Sequence, residues 1–203
     1  MPSTPRTTDQ TKKGENELAL RTGISSIVIP NVLDFENPPQ DDHEYNSNLR
    51  QEIGLEEGDV MILQPTRIVQ RKGIEHAIEL VKRLQDPRYK LVISHEAGDE
   101  GHDYADWLRD HALEDGVDLR LIATRVADKR SINASGERQY TIWDVYPHAD
   151  FITYPSLYEG VGNAILEAKY FRKPVWVKRY GVFVREIEPP AIDLVLRHGR
   201  GTK

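Results

Sequence analysis

Two glutamates that bracket a glycine loop are the first residues in this sequence whose types and spacing could do chemistry. Residues 159–167 read EGVGNAILE, with glycines at 160 and 162 and an apolar helical run behind them. Gly160 and Gly162 let a ligand approach the backbone, and the N–H groups that open a helix attract an anion. Glu167 lies about one turn into the predicted helix and tilts back toward its start, so its carboxylate can reach the same ligand. Glu159 lies in the loop itself, nearer to whatever projects beyond the anion.

A second loop carries positive charge. Residues 64–77 read QPTRIVQRKGIEHA, which places Arg67 and Lys72 after a predicted strand and Lys72 at the start of a predicted helix. A lysine at that position opposes the helix dipole, and an anionic ligand would explain it. Arg67 offers a two-pronged donor and Lys72 a point charge, a combination that suits phosphate groups. The two loops together predict a diphosphate site with carboxylates for sugar hydroxyls.

Simpler interpretations exist for each loop. Gly160 and Gly162 could merely shape a turn, with Glu159 and Glu167 solvated at the surface, and a basic turn can also be solvated. A dinucleotide-binding fingerprint fits less well, because Ile165 occupies its third glycine position and the loop comes late in the chain. The occurrence of both loops in one chain favours the shared anion site.

The elements that must position these loops alternate between strand and helix. Apolar runs at 59–64, 89–95, 118–123, 150–156 and 174–179 predict buried strands, and 193–196 predicts a further short one. Amphipathic stretches at 73–84, 103–116 and 163–171 predict helices between them. This alternation predicts an α/β fold with a single Rossmann-like domain, a doubly wound parallel sheet with helices on both faces. Ligands of such sheets bind at the carboxyl ends of the strands, where both loops are expected.

Composition limits the class of protein. The chain has 203 residues, 38% hydrophobic and 30% charged, a net charge of −6 and no cysteine. These values predict one folded domain over 24–203, preceded by a polar segment, 1–23, that is flexible or a truncated linker. They argue against nucleic acid as a partner, against a transmembrane segment, and against disulfides or thiolate zinc sites. No metal-ligand cluster is visible in the sequence, and the cytoplasm is the expected compartment.

The loops resemble a known family. EGVGNAILE is similar to the E-x7-E motif of retaining GT-B glycosyltransferases of family 4, PTRIVQRKGIEHAIELV to their R-x4-K segment, and IPNVLDFE to their interdomain linker. The resemblance covers residues 24–188. It implies that this chain is the C-terminal, donor-binding half of a GT-B fold, that a nucleoside-diphosphate sugar is the donor substrate, and that no separate cofactor is needed.

The resemblance also implies roles for individual residues. Arg67 and Lys72 would neutralise the donor diphosphate, Glu159 would lie beside the transferred sugar as a catalytic residue, and Glu167 would hold the ribose hydroxyls. The remaining implied donor-binding residues are those of the glycine loop and of the segment where the nucleobase rests: Gly160, Val161, Gly162, Asn163, Ala123, Thr124 and Arg125.

Two segments depart from the family pattern. SHEAGDEG follows the strand at 89–95 in place of the usual Gly-x-Gly, which puts His95 near the expected cleft as a further candidate for donor contact. KRYGVF replaces a Gly-Gly often found after PVWV at 174–177, which affects the expected sugar pocket. His95 could equally be a structural histidine.

The resemblance accounts for only one of two domains. A GT-B enzyme also has an N-terminal acceptor-binding domain, so we expect this chain to be an excised or truncated half, inactive alone, or to meet a partner chain that supplies the other half. A nucleotide-sugar-binding module without catalysis and a GT-B-type sugar-nucleotide epimerase are the alternative functions.

Overall fold

The computed structural model describes residues 7–9, 12–29, 33–34, 36, 43–97, 102–160, 162–187 and 195–196. Its strands are β1 Thr7–Asp9, β2 Ser26–Val28, β3 Val60–Gln64, β4 Tyr89–Ile93, β5 Asp118–Leu121, β6 Ser131–Ile132, β7 Arg138–Gln139, β8 Phe151–Tyr154, β9 Val175–Val177 and β10 Val195–Leu196. Its helices are α1 Lys12–Thr22, α2 His43–Asn46, α3 Leu49–Glu52, α4 Ile74–Leu84, α5 His102–Glu114, α6 Ile142–Val145 and α7 Asn163–Tyr170. Turns of 3-10 helix lie at Gln70–Lys72, Ala123–Arg125 and Tyr146–His148.

The main sheet is parallel and doubly wound. Its strand order is β10-β9-β8-β3-β4-β5, and each neighbouring pair is parallel. The chain winds outward from β3 to β4 and β5, then crosses back to β8 and continues to β9 and β10 on the other side. The predicted fold class is therefore confirmed, and the topological switch point lies between β3 and β8.

Both faces of the sheet are covered because successive residues of a strand point to opposite sides. Met61 and Leu63 pack into one hydrophobic cluster, with α6 and α7, whereas Ile62 between them packs into the other, with α4 and α5. These three side chains are almost completely buried. Burial on both faces explains why the strands read as continuous apolar runs in the sequence.

The N-terminal segment, expected to be flexible or a truncated linker, contains regular secondary structure. Within 1–23, residues 12–22 form α1, and β1 pairs in parallel with β2 in a small sheet apart from the main one. α1 combines good helix formers with a largely exposed surface; Leu20, for example, is 87% exposed. A helix that buries so little has no apolar stripe, so its sequence carries no periodic signal. The boundary between 23 and 24 remains a prediction.

Four short elements have no counterpart among the strands and helices predicted from the sequence. α2 begins inside the stretch 32–46, and α3 follows it, with Leu49 fully buried in the core. The strands β6 and β7 form a short antiparallel hairpin. Elements of two to four residues are too short to show a repeating apolar pattern, which is why the sequence did not indicate them.

Candidate functional site

The two predicted loops meet at the switch point. β3 and β8 are direct neighbours, with Leu63 opposite Ile152, so the loop at 65–73 and the loop at 155–162 leave the same edge of the sheet side by side. The backbone N–H of Leu157 donates to the carbonyl oxygen of Arg71 at 2.8 Å and ties one loop to the other. The loops therefore form a single floor beside the start of α7.

A cavity of about 480 Å³ opens over this floor. Its lining includes most of the predicted site residues: Arg67, Lys72, His95, Glu159, Gly160, Gly162, Asn163 and Glu167. Pro65, Thr66, Ile142, Tyr154 and Ala164 complete the lining. Val161 lies outside the described residues. Residues from three separate segments are thus brought together at one place.

The predicted nucleobase segment lies elsewhere. Ala123, Thr124 and Arg125 form a 3-10 turn after β5, which is two strands away from β3, and they are not among the residues that line the cavity. The Arg125 guanidinium forms ion pairs with Glu52 and, at 3.0 Å, with Glu137. Arg125 therefore has a structural role here, and donor contacts from these three residues remain a prediction.

A carboxylate and two cations form the charged centre of the cavity. Glu159 Oε1 accepts from Lys72 Nζ and, at 2.8 Å, from Arg71 Nη1. Lys72 is 9% exposed, and its ammonium lies 5.4 Å from the centre of the Tyr154 ring. Burial lowers the pKa of Lys72, the contact with Glu159 acts in the opposite direction, and the charges of Arg71 and Arg67 add to the lowering. Lys72 is thus a desolvated cation held by the carboxylate of Glu159. An anionic ligand can compete with Glu159 for this cation.

Arg71 was not among the predicted residues. The R-x4-K spacing drew attention to its neighbours Arg67 and Lys72, although Arg71 is the residue that shares Glu159 with Lys72. Its guanidinium also lies over the Tyr158 ring, 5.7 Å from the ring centre. A pair of adjacent basic residues before a glycine was the only sequence signal that could have indicated it.

Glu167 is the fifth residue of α7 and is half-buried. The hydroxyl of Tyr146 donates to Glu167 Oε2 at 2.8 Å. Burial raises the pKa of Glu167, and the hydrogen bond from Tyr146 acts against that rise. Sequence reasoning missed Tyr146, because a tyrosine in a short apolar stretch is indistinguishable from an ordinary core residue. Its contact with Glu167 joins two elements that the sequence does not show to be neighbours.

His95 lies at the carboxyl end of β4, facing the same cavity. Its Nδ1 is 2.7 Å from the hydroxyl of Ser94. Burial lowers the pKa of His95, and the positive charges of Arg67 and Lys72 lower it further, against a smaller effect of Asp128. We therefore expect the His95 imidazole to be neutral at pH 7. A neutral imidazole can donate and accept hydrogen bonds with uncharged groups, but it adds nothing to the positive charge of the cavity.

The start of α7 is arranged for an anion. Gly162 caps the helix with φ at +79°, and a glycine has no side chain with which to accept from the first N–H groups. A Cβ at this position would lie 2.9 Å from the Tyr154 hydroxyl. A glycine is therefore needed at 162 for two reasons, the positive φ and the close contact with Tyr154 of β8. It also leaves the helix N-terminus open toward the cavity.

A buried amide sets the position of Lys72. Gln64, at the end of β3, is fully buried, and its Nε2 lies 3.3 Å from the carbonyl oxygen of Lys72 and 3.3 Å from the Thr66 hydroxyl. Its Oε1 accepts from the hydroxyl of Thr153 on β8 at 3.3 Å. Gln64 therefore ties the basic turn to both central strands. The polar end of an otherwise apolar strand was its only sequence signal.

Gly73 provides the first testable prediction. Its φ is +62°, and a Cβ would lie 2.6 Å from the carbonyl oxygen of Pro155 in the facing loop. We expect Gly73→Ala to lower the free energy of unfolding by about 2–5 kcal/mol, the sum of left-handed strain and overpacking. Gly116 is the matched control, because its φ is +68° with nothing within 4 Å, so Gly116→Ala should lose only about 1–2 kcal/mol. Equal losses in chemical denaturation would mean that the two loops are not packed against each other.

The described part of the chain contains neither a metal-ligand cluster nor a membrane-spanning helix. Among those residues, no group of three or more histidine, cysteine, aspartate or glutamate side chains could hold a metal ion. Over the same residues, no helix has both the length and the apolar character to cross a membrane.

Two proteins with similar sequences align with most of this chain. Mannosylglucosylglycerate synthase of Petrotoga mobilis is 35% identical over 200 residues, covering 89% of this chain and 45% of that protein. The synthase of the same name from Thermotoga maritima is 33% identical over 196 residues, covering 89% and 44%. The chain therefore spans less than half the length of either synthase.

Solved structures with the same fold are more distant in sequence. Anabaena Alr3699/HepE in complex with UDP and glucose superposes with a TM-score of 0.71 at 18% identity, covering 93% of this chain and 48% of that one. The C-terminal domain of a glycosyl transferase group 1 family protein, LpcC from Francisella tularensis, gives 0.58 at 21% identity and covers 83% and 81%. These similarities show a Rossmann-like fold of the GT-B type. The model of the family described as glycosyl transferases group 1 matches residues 46–191, and this chain belongs to that family.

Proposed function

We propose that this chain is the donor-binding, C-terminal half of a retaining GT-B glycosyltransferase of family 4. The observation that carries the proposal is the convergence of Arg67, Lys72 and the start of α7 with the carboxylates of Glu159 and Glu167 in one cavity. Cations and helix N–H groups suit a diphosphate, and carboxylates suit hydroxyl groups. The cavity therefore offers complementary chemistry to both ends of a nucleoside-diphosphate sugar.

The proposed binding mode gives each part of the donor its own contacts. The diphosphate lies between Lys72, Arg67 and the N-terminus of α7, the ribose lies toward Glu167, and the transferred sugar lies toward Glu159. A volume of about 480 Å³ is within the range of small-molecule sites, roughly 300–1,000 Å³. The neutral His95 faces the same space and is available to a sugar hydroxyl.

The proposed reaction breaks the bond between the anomeric carbon and the diphosphate oxygen. An acceptor hydroxyl attacks the anomeric carbon from the face that the diphosphate leaves, so the configuration is retained. The diphosphate departs with the bonding electron pair, and its leaving oxygen takes up the proton of the acceptor hydroxyl. Lys72, Arg67 and the helix N-terminus stabilise the charge that grows on the leaving oxygen, which is electrostatic catalysis. Glu159 orients the sugar, and we assign no residue of this chain as nucleophile.

A second domain is needed to complete the enzyme. The relatives are more than twice as long as their matched portions, and we propose that an N-terminal acceptor-binding domain covers the cavity from the other side. This chain alone would then bind donor without turning it over. The names of the relatives make nucleoside-diphosphate mannose and glucose the first donors to test, and the Anabaena structure makes UDP the first nucleotide.

The proposal is tested by isothermal calorimetry and thermal shift with nucleoside diphosphates and their mannose and glucose conjugates, with and without a chelator. We expect saturable binding that the chelator does not abolish. Absence of binding by every nucleotide tested, with the protein folded, would refute the donor site. Binding without turnover by the two-domain protein would instead favour a nucleotide-sugar-binding module.

Glu167→Ala provides the second prediction. We expect it to weaken the bare nucleoside diphosphate and the nucleotide sugar equally, by roughly 1–3 kcal/mol, because the ribose is common to both ligands. Glu114→Ala is the control, since Glu114 is an exposed glutamate at the end of α5. A loss confined to the nucleotide sugar would place Glu167 beside the transferred sugar instead.

A further inference from the structure

A fully buried tyrosine donates a hydrogen bond to one of the cavity carboxylates. Tyr146 is 0% exposed, and its ring stacks on that of Phe171 with centres 5.1 Å apart and planes 6° from parallel. Its hydroxyl lies 2.8 Å from Glu167 Oε2 and 3.3 Å from the carbonyl oxygen of Ala164. A hydroxyl has one proton, and the closer, ionisable carboxylate is the stronger acceptor. The Tyr146 proton therefore goes to Glu167.

The element that carries Tyr146 is itself fixed. Tyr146 directly follows α6, whose start is closed by a capping box in which Asp144 accepts from the backbone N–H of Thr141 at 2.9 Å. Asp144 is 2% exposed and forms an ion pair with Arg130. These contacts hold the backbone from which the Tyr146 ring extends, so the hydroxyl has little freedom to follow a moving carboxylate.

Glu167 depends on this one donor. In the described residues, the Tyr146 hydroxyl is the only hydrogen-bond donor to the Glu167 carboxylate. Tyr146 contacts Oε2, while Glu167 lines the cavity and keeps Oε1 and the remaining lone pairs for a ligand. Without that contact, the carboxylate could rotate about its last side-chain bond.

We propose that Tyr146 is a positioning residue that orients the Glu167 carboxylate to receive the vicinal hydroxyl pair of a ribonucleoside diphosphate. This role rests on the proposed function, since it needs a ribonucleotide in the cavity. Nothing in the R-x4-K or E-x7-E spacing indicates Tyr146, which lies outside both motifs.

The electrostatics are consistent with this role. The titratable or charged groups that line the cavity together with Glu167 are Arg67 and Lys72 from the loop after β3, His95 from the end of β4, Glu159 from the glycine loop and Tyr154 from β8. The pKa of Glu167 nevertheless responds to two influences, burial that raises it and the Tyr146 hydrogen bond that lowers it. Tyr146 thus acts against the rise in the pKa of Glu167 that burial produces.

The test is Tyr146→Phe, which keeps the ring and removes the hydroxyl. We expect the variant to bind a ribonucleoside diphosphate roughly tenfold more weakly at pH 7.5, the usual effect of losing one contact to a charged group. The loss should become greater as pH falls, because Glu167 in the variant takes up a proton at a higher pH than in the parent protein. Tyr104→Phe is the matched control, since Tyr104 donates to the carboxylate of Glu75, outside the cavity.

A second ligand separates positioning from packing. A 2′,3′-dideoxynucleoside diphosphate lacks the hydroxyl pair, so Tyr146→Phe should leave its affinity unchanged. Equal weakening of the ribo and dideoxy ligands would show a general packing effect and overturn the proposal. In the Glu167→Ala background, Tyr146→Phe should have no further effect on the ribo ligand, and a full additional loss would overturn it as well.

A ligand-free measurement distinguishes failure of this inference from failure of the proposed function. A ¹³C NMR titration of Glu167 should show a higher pKa in Tyr146→Phe than in the parent chain. An unchanged Glu167 pKa would overturn the positioning role even if nucleotides bind. A raised pKa in a protein that binds no nucleotide would support the contact and overturn both the ribose assignment and the proposed donor site.

Discussion

Lys72→Ala is expected to weaken binding of a nucleoside diphosphate by roughly 1.5–3 kcal/mol, or about ten- to hundredfold, at neutral pH. Lys72 is a buried ammonium in the floor of the cavity, where low solvent exposure strengthens its attraction for an anion. Its carboxylate partner Glu159 retains Arg71 at 2.8 Å when Lys72 is removed, so the free protein is not left with an unpaired carboxylate. The loss should therefore appear mainly in binding and not in folding.

Lys82→Ala is the control for this prediction. Lys82 lies in the last turn of α4, outside the cavity lining, and pairs with Asp115 at 2.7 Å. Its removal deletes one positive charge from the same helix region without touching the cavity. Calorimetry of both variants at two salt concentrations isolates the local effect. A general effect of lost positive charge would weaken ligand binding equally in both variants, and salt would screen it to the same degree in both. Equal affinities for Lys72→Ala and the parent protein would exclude the diphosphate site.

The fold was predictable because its strands and main helices bury apolar residues in regular patterns. Ile74, Ala77, Ile78 and Val81 repeat at helical spacing along α4 and are buried against the sheet, and the strand runs are apolar throughout because helices cover both faces. α1 shows the limit of this reasoning. Its exposed surface leaves no periodic pattern, so a polar helix and a polar coil have the same signature.

The site was predictable only where local chemistry was unusual. Lys72 at a helix start and two glycines between glutamates are anomalies that a short stretch of sequence displays by itself. Tyr146 and Arg71 act through partners 21 and 88 positions away, and no local pattern encodes such pairs. The segment Ala123–Arg125 was expected at the site but does not line the cavity. It follows a strand of the same sheet, but that strand lies two places from β3. Strand order is decided by packing across the whole chain.

Glu159→Gln is expected to affect donor binding and turnover in opposite directions. The Glu159 carboxylate accepts from both Lys72 and Arg71, so it competes with a diphosphate for the same cations. An amide removes the negative charge with little change in size. We therefore expect the bare nucleoside diphosphate to bind about three- to tenfold more tightly, a gain of roughly 1 kcal/mol, which is typical of a partly exposed ion pair such as that between Arg71 and Glu159.

Turnover should fall in the same variant of the two-domain enzyme. The proposed role of Glu159 is to orient the transferred sugar, and a misplaced anomeric carbon commonly lowers the rate about a hundredfold. Glu137→Gln is the matched control, because Glu137 pairs with Arg125 at 3.0 Å outside the cavity and should change neither quantity. The measurements are calorimetry with the bare diphosphate on this chain and initial rates with the full-length protein. Weaker diphosphate binding by Glu159→Gln would show that the carboxylate organises the cations for the ligand, and competition between carboxylate and diphosphate would then be wrong.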